Sequence, residues 1–303
     1  MTPKLSVIMT VYNGEAFLQE TLDAVFGQTF TDFELVVVNN GCTDGTQAML
    51  DGVTDDRLRV VQNPNGKTFG EGIRVAYENA QAQYLAVQDA DDVPLPDRFK
   101  LQVAALDCDD LLGLVSSAFE DIDQDGRHLA NNFPPTDQAG LIDAIQTHSP
   151  MAHSTYMYRK TASDQVGGYP AEYAYGPDFG LVVRLIKADW KIQVLGEILL
   201  KLRQHAGQAS LASDLGVTRA HDAYHLYSEA SELEGASGSA RKAGRKNVTK
   251  CRVRYGLALI GENRLGKGLS HILKAVLNQP LYSSVYLGYR LGRKLRLVKP
   301  AQA

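Results

Sequence analysis

The run Tyr84-Leu85-Ala86-Val87 ends directly in Gln88-Asp89-Ala90-Asp91-Asp92, and no other stretch narrows the fold so much. A short, continuously apolar run suits a strand covered on both faces. Three carboxylates at its carboxyl end repel one another unless a cation or a sugar hydroxyl lies between them. The pattern calls for a buried strand whose end opens on a ligand site. Hard oxygen donors suit Mg2+ or Mn2+, and Mg2+ is commonly held by one or two carboxylates while substrate phosphates complete its shell. For an isolated Asp-x-Asp, the plainer alternative is an acidic turn capping the helix that follows Pro94 and Pro96.

The neighbouring sequence favours the ligand site. Leu5 to Thr10 is an apolar strand, and Tyr12-Asn13-Gly14 turns the chain into a helix with Phe17, Leu18, Leu22, Val25 and Phe26 on one face. Phe33 to Val38 is a second strand ending in Asn39-Asn40-Gly41, after which Asp44 and Gln47 have the spacing of a helix-capping pair. Leu58 to Val61 is a third strand, and a helix over about 71–81 leads to the fourth. Alternating strands and helices with continuous apolar strands imply a parallel sheet covered on both faces, with ligands outside the strand carboxyl ends.

Beyond Pro94 the pattern loosens. Leu112 to Ser117 and Thr155 to Arg159 read as strands, Phe179 to Ala188 as a helix, and Ile192 to Leu195 as a strand running on into a second, Leu199 to Arg203. From Thr218 the pattern is helical, and the small, polar, Gly-rich stretch Ser231 to Gly244 reads as a hinge or linker. With 303 residues, 44% of them hydrophobic, the chain can bury a large core. Three widely spaced cysteines indicate neither a disulfide framework nor a thiolate zinc site. No stretch approaches a membrane-spanning length and no signal-peptide pattern is present, so the expected setting is cytoplasmic.

A net charge of −4 hides an asymmetry. Residues 241–303 carry 15 Lys and Arg against the single acid Glu262, a balance of +14; the first 240 residues hold 16 basic and 34 acidic side chains, a balance of −18. A tail this basic seeks anionic surfaces. Three readings stay open: amphipathic helices on an anionic membrane, nucleic-acid binding without a motif to support it, or a helical cap on the acidic domain.

Several motifs together resemble glycosyltransferase family 2. They are Val7 to Asn13; Gln28-Thr29-Phe30 with Asp32-Phe33-Glu34-Leu35; Gly41 with Thr43-Asp44-Gly45-Thr46; and Asp89-Ala90-Asp91-Asp92. Order and spacing match over the first hundred residues, and looser matches run to about Ser210. The resemblance implies an α/β GT-A fold, a Rossmann-like, mostly parallel sheet, over residues 1–213. Residues 1–100 would form the nucleotide-binding half and 101–213 the acceptor half, with a basic helical extension over 214–303. It further implies that Thr10, Tyr12 and Asn40 contact the base and ribose of a nucleotide-sugar donor, that Asp89 lies near the ribose, and that Asp91, with Asp92 sharing the duty, binds Mg2+ or Mn2+ on the diphosphate. For Tyr12 the plain alternative is a packed turn aromatic.

The chain departs from the family where Asn39-Asn40 replaces an acidic pair, since an amide both donates and accepts where a carboxylate only accepts. The family's Arg-Asn before the fourth strand is also missing. Lys67 and Arg74 are candidates to face the diphosphate instead, or are solvated surface charges.

Transfer with inversion needs a general base for the acceptor hydroxyl. Asp178, in Tyr175-Gly176-Pro177-Asp178-Phe179-Gly180 ahead of Leu181 to Leu185, resembles the family's Glu-Asp segment with Pro177 in place of the Glu. Gly167-Gly168-Tyr169 supports that register, and a helix N-cap is the plain alternative. Arg203-Gln204-His205 resembles the closing Arg-x-His motif, in which Arg203 offsets leaving-group charge and His205 coordinates the metal or meets the diphosphate. His153-Ser154-Thr155 falls where the family lines its acceptor cleft.

The expected activity is therefore inverting sugar transfer from a nucleotide donor, a UDP-sugar by resemblance, to a saccharide or lipid-linked saccharide in polysaccharide or glycolipid synthesis. The setting would be cytoplasmic, with peripheral contact at the inner face of a membrane left open. The rival is a sugar-nucleotide or glycan-binding protein of the same fold with weak turnover, motivated by Asn39-Asn40 and Pro177.

Overall fold

A computed structural model describes residues 2–66, 68–208 and 216–294. The chain divides into two compact units, residues 1–141 with 149–212, and residues 142–148 with 213–303.

The first unit is built on one mixed sheet. Strands β1 (Leu5–Val11), β2 (Phe33–Asn39), β3 (Leu58–Gln62) and β4 (Tyr84–Val87) run parallel in the order β3-β2-β1-β4, with Leu5 opposite both Phe33 and Tyr84. The sheet continues through β8 (Met157–Arg159), β6 (Leu112–Ile122) and β9 (Lys191–Arg203) to the two-residue β5 (Val93–Pro94), and β7 (His128–Asn132) pairs with β6. β8 lies antiparallel to β4 and β6, whereas β6 and β9 are parallel.

The strands are apolar on both sides because both sides are covered. Leu5, Val7, Met9 and Val11 of β1 join a core with Leu18, Leu22 and Val25 of α1 (Leu18–Phe26) and Phe99, Val103 and Leu106 of α4 (Arg98–Cys108). The alternate residue Ile8 is equally buried, as are Ile73 and Ala76 of α3 (Phe69–Asn79), which packs on β1 and β2. Fully burying side chains of this size contributes about 1.5–3 kcal/mol each.

Several local expectations are corrected. Asp44 and Gln47 form no reciprocal capping pair at α2 (Thr46–Asp51): Asp44 accepts from the amide and hydroxyl of Thr46, while the Gln47 carbonyl accepts from the side chains of Asn39 and Gln62. The capping box lies instead on α3, where Thr68 Oγ1 accepts from Glu71 N and Glu71 Oε2 from Thr68 N. β9 is one strand that carries its register irregularities along β6, so the two runs read in sequence are continuous. Between α5 (Gln138–Ile145) and β8, residues 153–155 form a 3-10 turn, so the strand read from Thr155 begins at Met157. α6 (Lys160–Gln165) and α7 (Pro177–Lys187) complete the first unit.

The second unit is helical: α8 (Gly216–Ala230), α9 (Gly238–Gly261), α10 (Leu265–Asn278) and α11 (Pro280–Lys294). Ser237 caps α9 through the Ala240 amide, so the linker is confined to 231–237 and residues 238–244 are helix. The segment 142–148 joins this unit because Asp143 accepts from Ser237 N at 2.7 Å and Gln146 Nε2 donates to Ala230 O at 2.8 Å. Among the described residues no helix is long and apolar enough to cross a membrane.

Candidate active site

The loops after β1 and β2 are stitched together. Asn13, at φ 52°, accepts from Thr43 N through its side chain at 2.8 Å, Thr46 Oγ1 accepts from Gly14 N at 2.9 Å, and Asp44 accepts from Glu15 N. This leaves Tyr12 64% exposed at the end of β1, so it does not pack the turn. Thr10 lies beneath, its Oγ1 buried without a hydrogen-bond partner among the described residues. Gly72 is required there, because a Cβ would come within 2.1 Å of Thr10 Oγ1.

Asn40 does not reach outward for a base. It is 5% exposed; its Oδ1 accepts from Asn63 Nδ2 at 2.7 Å and its Nδ2 donates to Thr68 O at 3.1 Å. The expected base contact is corrected to a role in pinning the chain after β3. Arg74 lines an open cleft of about 330 Å³ with Asn63, Gly66, Glu71 and Glu78, which none of the carboxylates at the end of β4 lines. Lys67 lies outside the described residues.

At the end of β4 the carboxylates separate into different environments. Asp91 is partly accessible, and its Oδ2 lies 2.9 Å from His205 Nε2. Asp92 is 2% exposed; its Oδ1 accepts from Arg203 N at 2.9 Å, and its Oδ2 is buried without a hydrogen-bond partner among the described residues. Burial, then Asp91 and Asp89, push its carboxyl well above the ordinary range. The sharing of a metal by Asp92 is therefore not supported by its position, which faces the interior. Burial, then Asp91 and Asp178, raise Asp89 to about 7.

Beneath them lies a residue that the sequence reading passed over. Arg98 is wholly buried and donates to Gln88 Oε1, Gln102 Oε1, Val87 O and Tyr156 O. Burial pulls its guanidinium down to about 9, while Asp92 and Asp89 act to raise it. The available signal was a positive charge on the apolar face of a helix, at four-residue spacing from Gln102. Gln28 holds the same segment from the other side, accepting from Phe99 N at 3.1 Å and donating to Leu95 O at 2.8 Å.

Arg203 is also corrected. It is 4% exposed and donates to Asp91 O, Asp123 O, Gln124 O and the Glu20 carboxylate, so it holds the loop carrying Asp91 and does not face a leaving group. Phe17 packs against both its guanidinium and the His205 ring, at 4.9 and 4.8 Å.

Asp178 stands in the first turn of α7, behind Pro177 at the first helical position and Gly176 at φ 77° as N-cap. It makes no side-chain cap and is half-buried. Asp178 is close enough for its charge to act on Asp89, His153, Tyr156 and Tyr169. His153 Nε2 lies 2.9 Å from Tyr169 OH, and Ser154 Oγ accepts from Asp89 N at 2.8 Å.

Among the described residues no three His, Cys, Asp or Glu side chains are arranged to cage a metal ion. Asp91 and His205 fit a divalent ion that arrives with phosphate oxygens, because such an ion needs few protein ligands.

The family model for glycosyl transferase family 2 matches residues 6–167, just over half of the chain. The chain belongs to glycosyl transferase family 2. It is 28% identical over 207 residues to EpsE of Bacillus subtilis (strain 168), which bears a glycosyltransferase name; the match covers 67% of this chain and 73% of EpsE. Hyaluronan synthase of Pasteurella multocida is 24% identical over 72% of this chain and 22% of its own length. Among solved structures, TarS residues 1–349 of S. aureus in complex with UDP-GlcNAc superposes with a TM-score of 0.67 at 18% identity, covering 95% of this chain and 92% of that one. The mannosyltransferase PcManGT of Pyrobaculum calidifontis, in complex with GDP-Man and Mn2+, gives a TM-score of 0.59 at 16% identity, covering 99% and 82%. These likenesses show the GT-A fold, and the family makes the chain a glycosyltransferase.

Proposed function

We propose that this family 2 glycosyltransferase transfers a sugar with inversion from a UDP-sugar to a saccharide or lipid-linked saccharide in cell-surface polysaccharide or glycolipid synthesis. Its setting is the cytoplasmic face of a membrane. The observation that carries the transfer reading is Asp91, with His205 at 2.9 Å, at the end of β4, where Asp178 is near enough for its charge to act on the neighbouring Asp89. The UDP preference is supported by the TarS likeness; the mannosyltransferase with GDP-Man shares the fold and makes the base a matter for measurement.

The residues divide the work. Tyr12 offers an exposed ring to a base, whereas the Thr10 hydroxyl is buried beside Gly72 and is not presented to the nucleoside. Asp91 and His205 would hold Mg2+ or Mn2+, which when bound would supply positive charge against that of the departing diphosphate. Asp178 takes the proton of the acceptor hydroxyl as that oxygen attacks the anomeric carbon from the side opposite the leaving group. Arg98 and Arg203 keep the Asp89–Asp92 turn in place.

The test is thermal stabilisation by UDP-, GDP- and dTDP-sugars with and without Mn2+, on wild type, Asp91→Ala and Asp178→Asn. Stabilisation by the UDP-sugar that needs metal, disappears in Asp91→Ala and survives in Asp178→Asn is expected. Equal stabilisation of Asp91→Ala would refute the metal role. NMR of sugar released slowly to water should show the anomer opposite to the donor's, and the donor's own anomer would refute inversion.

A further inference from the structure

The second unit holds most of the large hydrophobic side chains left exposed among the described residues. α9 and α10 cross where Gly256 and Gly268 face each other: a Cβ on either would come within 2.7 Å of the other's carbonyl oxygen. This close crossing fixes which side of α10 is buried, and Gly268 and Ala275 lie on it. Leu265, Leu269, Leu273 and Leu277, repeating every four residues, are consequently left on the solvent side.

α11 continues the row. Its Ser283 hydroxyl donates to Ala275 O at 2.8 Å, and Tyr282 and Tyr286 stack with centroids 6.4 Å apart and turn toward α9, where Lys246 Nζ lies 5.8 Å from the Tyr282 ring. Leu281 and Val285 are left outward. The six aliphatic side chains are 58–85% exposed.

Exposed cations share these helices. Lys246 and Arg254 of α9 and Arg290 of α11 are exposed, the first beside Tyr282 and the other two close enough to act on the Tyr286 hydroxyl. Lys267 and Lys274 are exposed on α10 itself. Residues 241–303 hold one acid in all, Glu262. An exposed aliphatic row on helices with exposed cations, in a stretch (241–303) that holds a single acid, matches an anionic lipid surface. A second copy of the same face would oppose cation to cation.

We infer that the α10–α11 face is a membrane-docking surface: the leucine row enters the interface of an anionic bilayer while Lys246, Arg254 and Arg290 meet lipid headgroups. This deepens the membrane setting proposed above and does not depend on sugar transfer itself.

The experiment is co-sedimentation of the full chain with vesicles of phosphatidylcholine alone or mixed with phosphatidylglycerol, with light scattering for oligomeric mass and the nucleotide-sugar thermal shift on every variant. Wild type should bind the mixed vesicles. Leu277→Gln with Leu281→Gln should weaken that binding about tenfold or more, and Lys246→Gln with Arg254→Gln should remove the preference for phosphatidylglycerol while leaving the response to donor unchanged. No binding by wild type, or unaltered binding by the leucine variant, overturns the inference. So does a fall in oligomeric mass with vesicle binding intact, which would make the face a contact between copies. Vesicle binding without any donor response would count against the transfer reading alone.

Discussion

Both units concentrate like charge, in opposite ways. At the end of β4 the carboxylates are drawn inward, with Asp92 2% exposed and a wholly buried Arg98 below them. Along α9 to α11 most of the cations whose side chains are described are spread over helix surfaces and exposed. Buried like charge is costly unless a counter-charge is built in or a ligand supplies it, whereas exposed like charge is screened and costs little. The first arrangement therefore marks a site for a discrete ligand, and the second a surface for an extended one.

The largest expected effect breaks that comparison at its strongest point. Asp91→Asn should lower sugar transfer on the order of a thousandfold while leaving vesicle binding untouched, as read by product formation and co-sedimentation on the same preparation. Removing the buried counter-charge comes next. Arg98→Met strands Gln88, Gln102 and two carboxylates, and urea unfolding should show a loss of about 3–5 kcal/mol. The exposed Lys274→Met should stay within about 0.5 kcal/mol, and parity between the two would erase the distinction between the units. Gly256→Ala should destabilise the second unit by about 1–3 kcal/mol, because its Cβ meets the Gly268 carbonyl, and hydrogen exchange should accelerate in α9 and α10.

The smallest effect is one of pH. Burial, then His221 and Arg252, hold His225 below its usual 6.5, against the opposing pull of Glu229 and Asp222. Burial, then Arg252, Lys274, His225 and His221, lower His271 in the same way. With the folded-state values depressed, the stability is present above about pH 6.5 and is lost as pH falls through the folded values, because the unfolded chain takes up protons first. Protection factors in α8 and α10, taken relative to the intrinsic exchange rate at each pH, should fall between pH 7.5 and 5.5 by an amount worth less than about 1 kcal/mol, since both rings are partly solvated. A unit that became more protected on acidification would contradict this.

The four parallel strands were legible because an apolar run declares itself in a few adjacent residues, and the position of the carboxylates at the end of β4 was legible because they follow such a run within five residues. Helix-length patterns located α3 and α7 to within a few residues. Arg203 and Asn40 were misread for one common reason. A motif gives the residue type, but whether a side chain faces ligand or scaffold depends on partners elsewhere in the chain: Glu20 and Asp91 for Arg203, Asn63 and Thr68 for Asn40. Arg98 went unnoticed because a buried arginine looks like a surface one until its four acceptors are assembled around it.

The sequence by itself determined the parallel α/β half, its family and the charge contrast between the two parts of the chain, all of which are properties of neighbouring residues or of simple sums. Tertiary structure decided which carboxylates face outward, that 142–148 belongs with the helical unit, and that the leucine row of α10 is uncovered. Those outcomes depend on pairings across a hundred residues and on a glycine crossing at backbone contact, where close packing assigns each side chain to one side or the other.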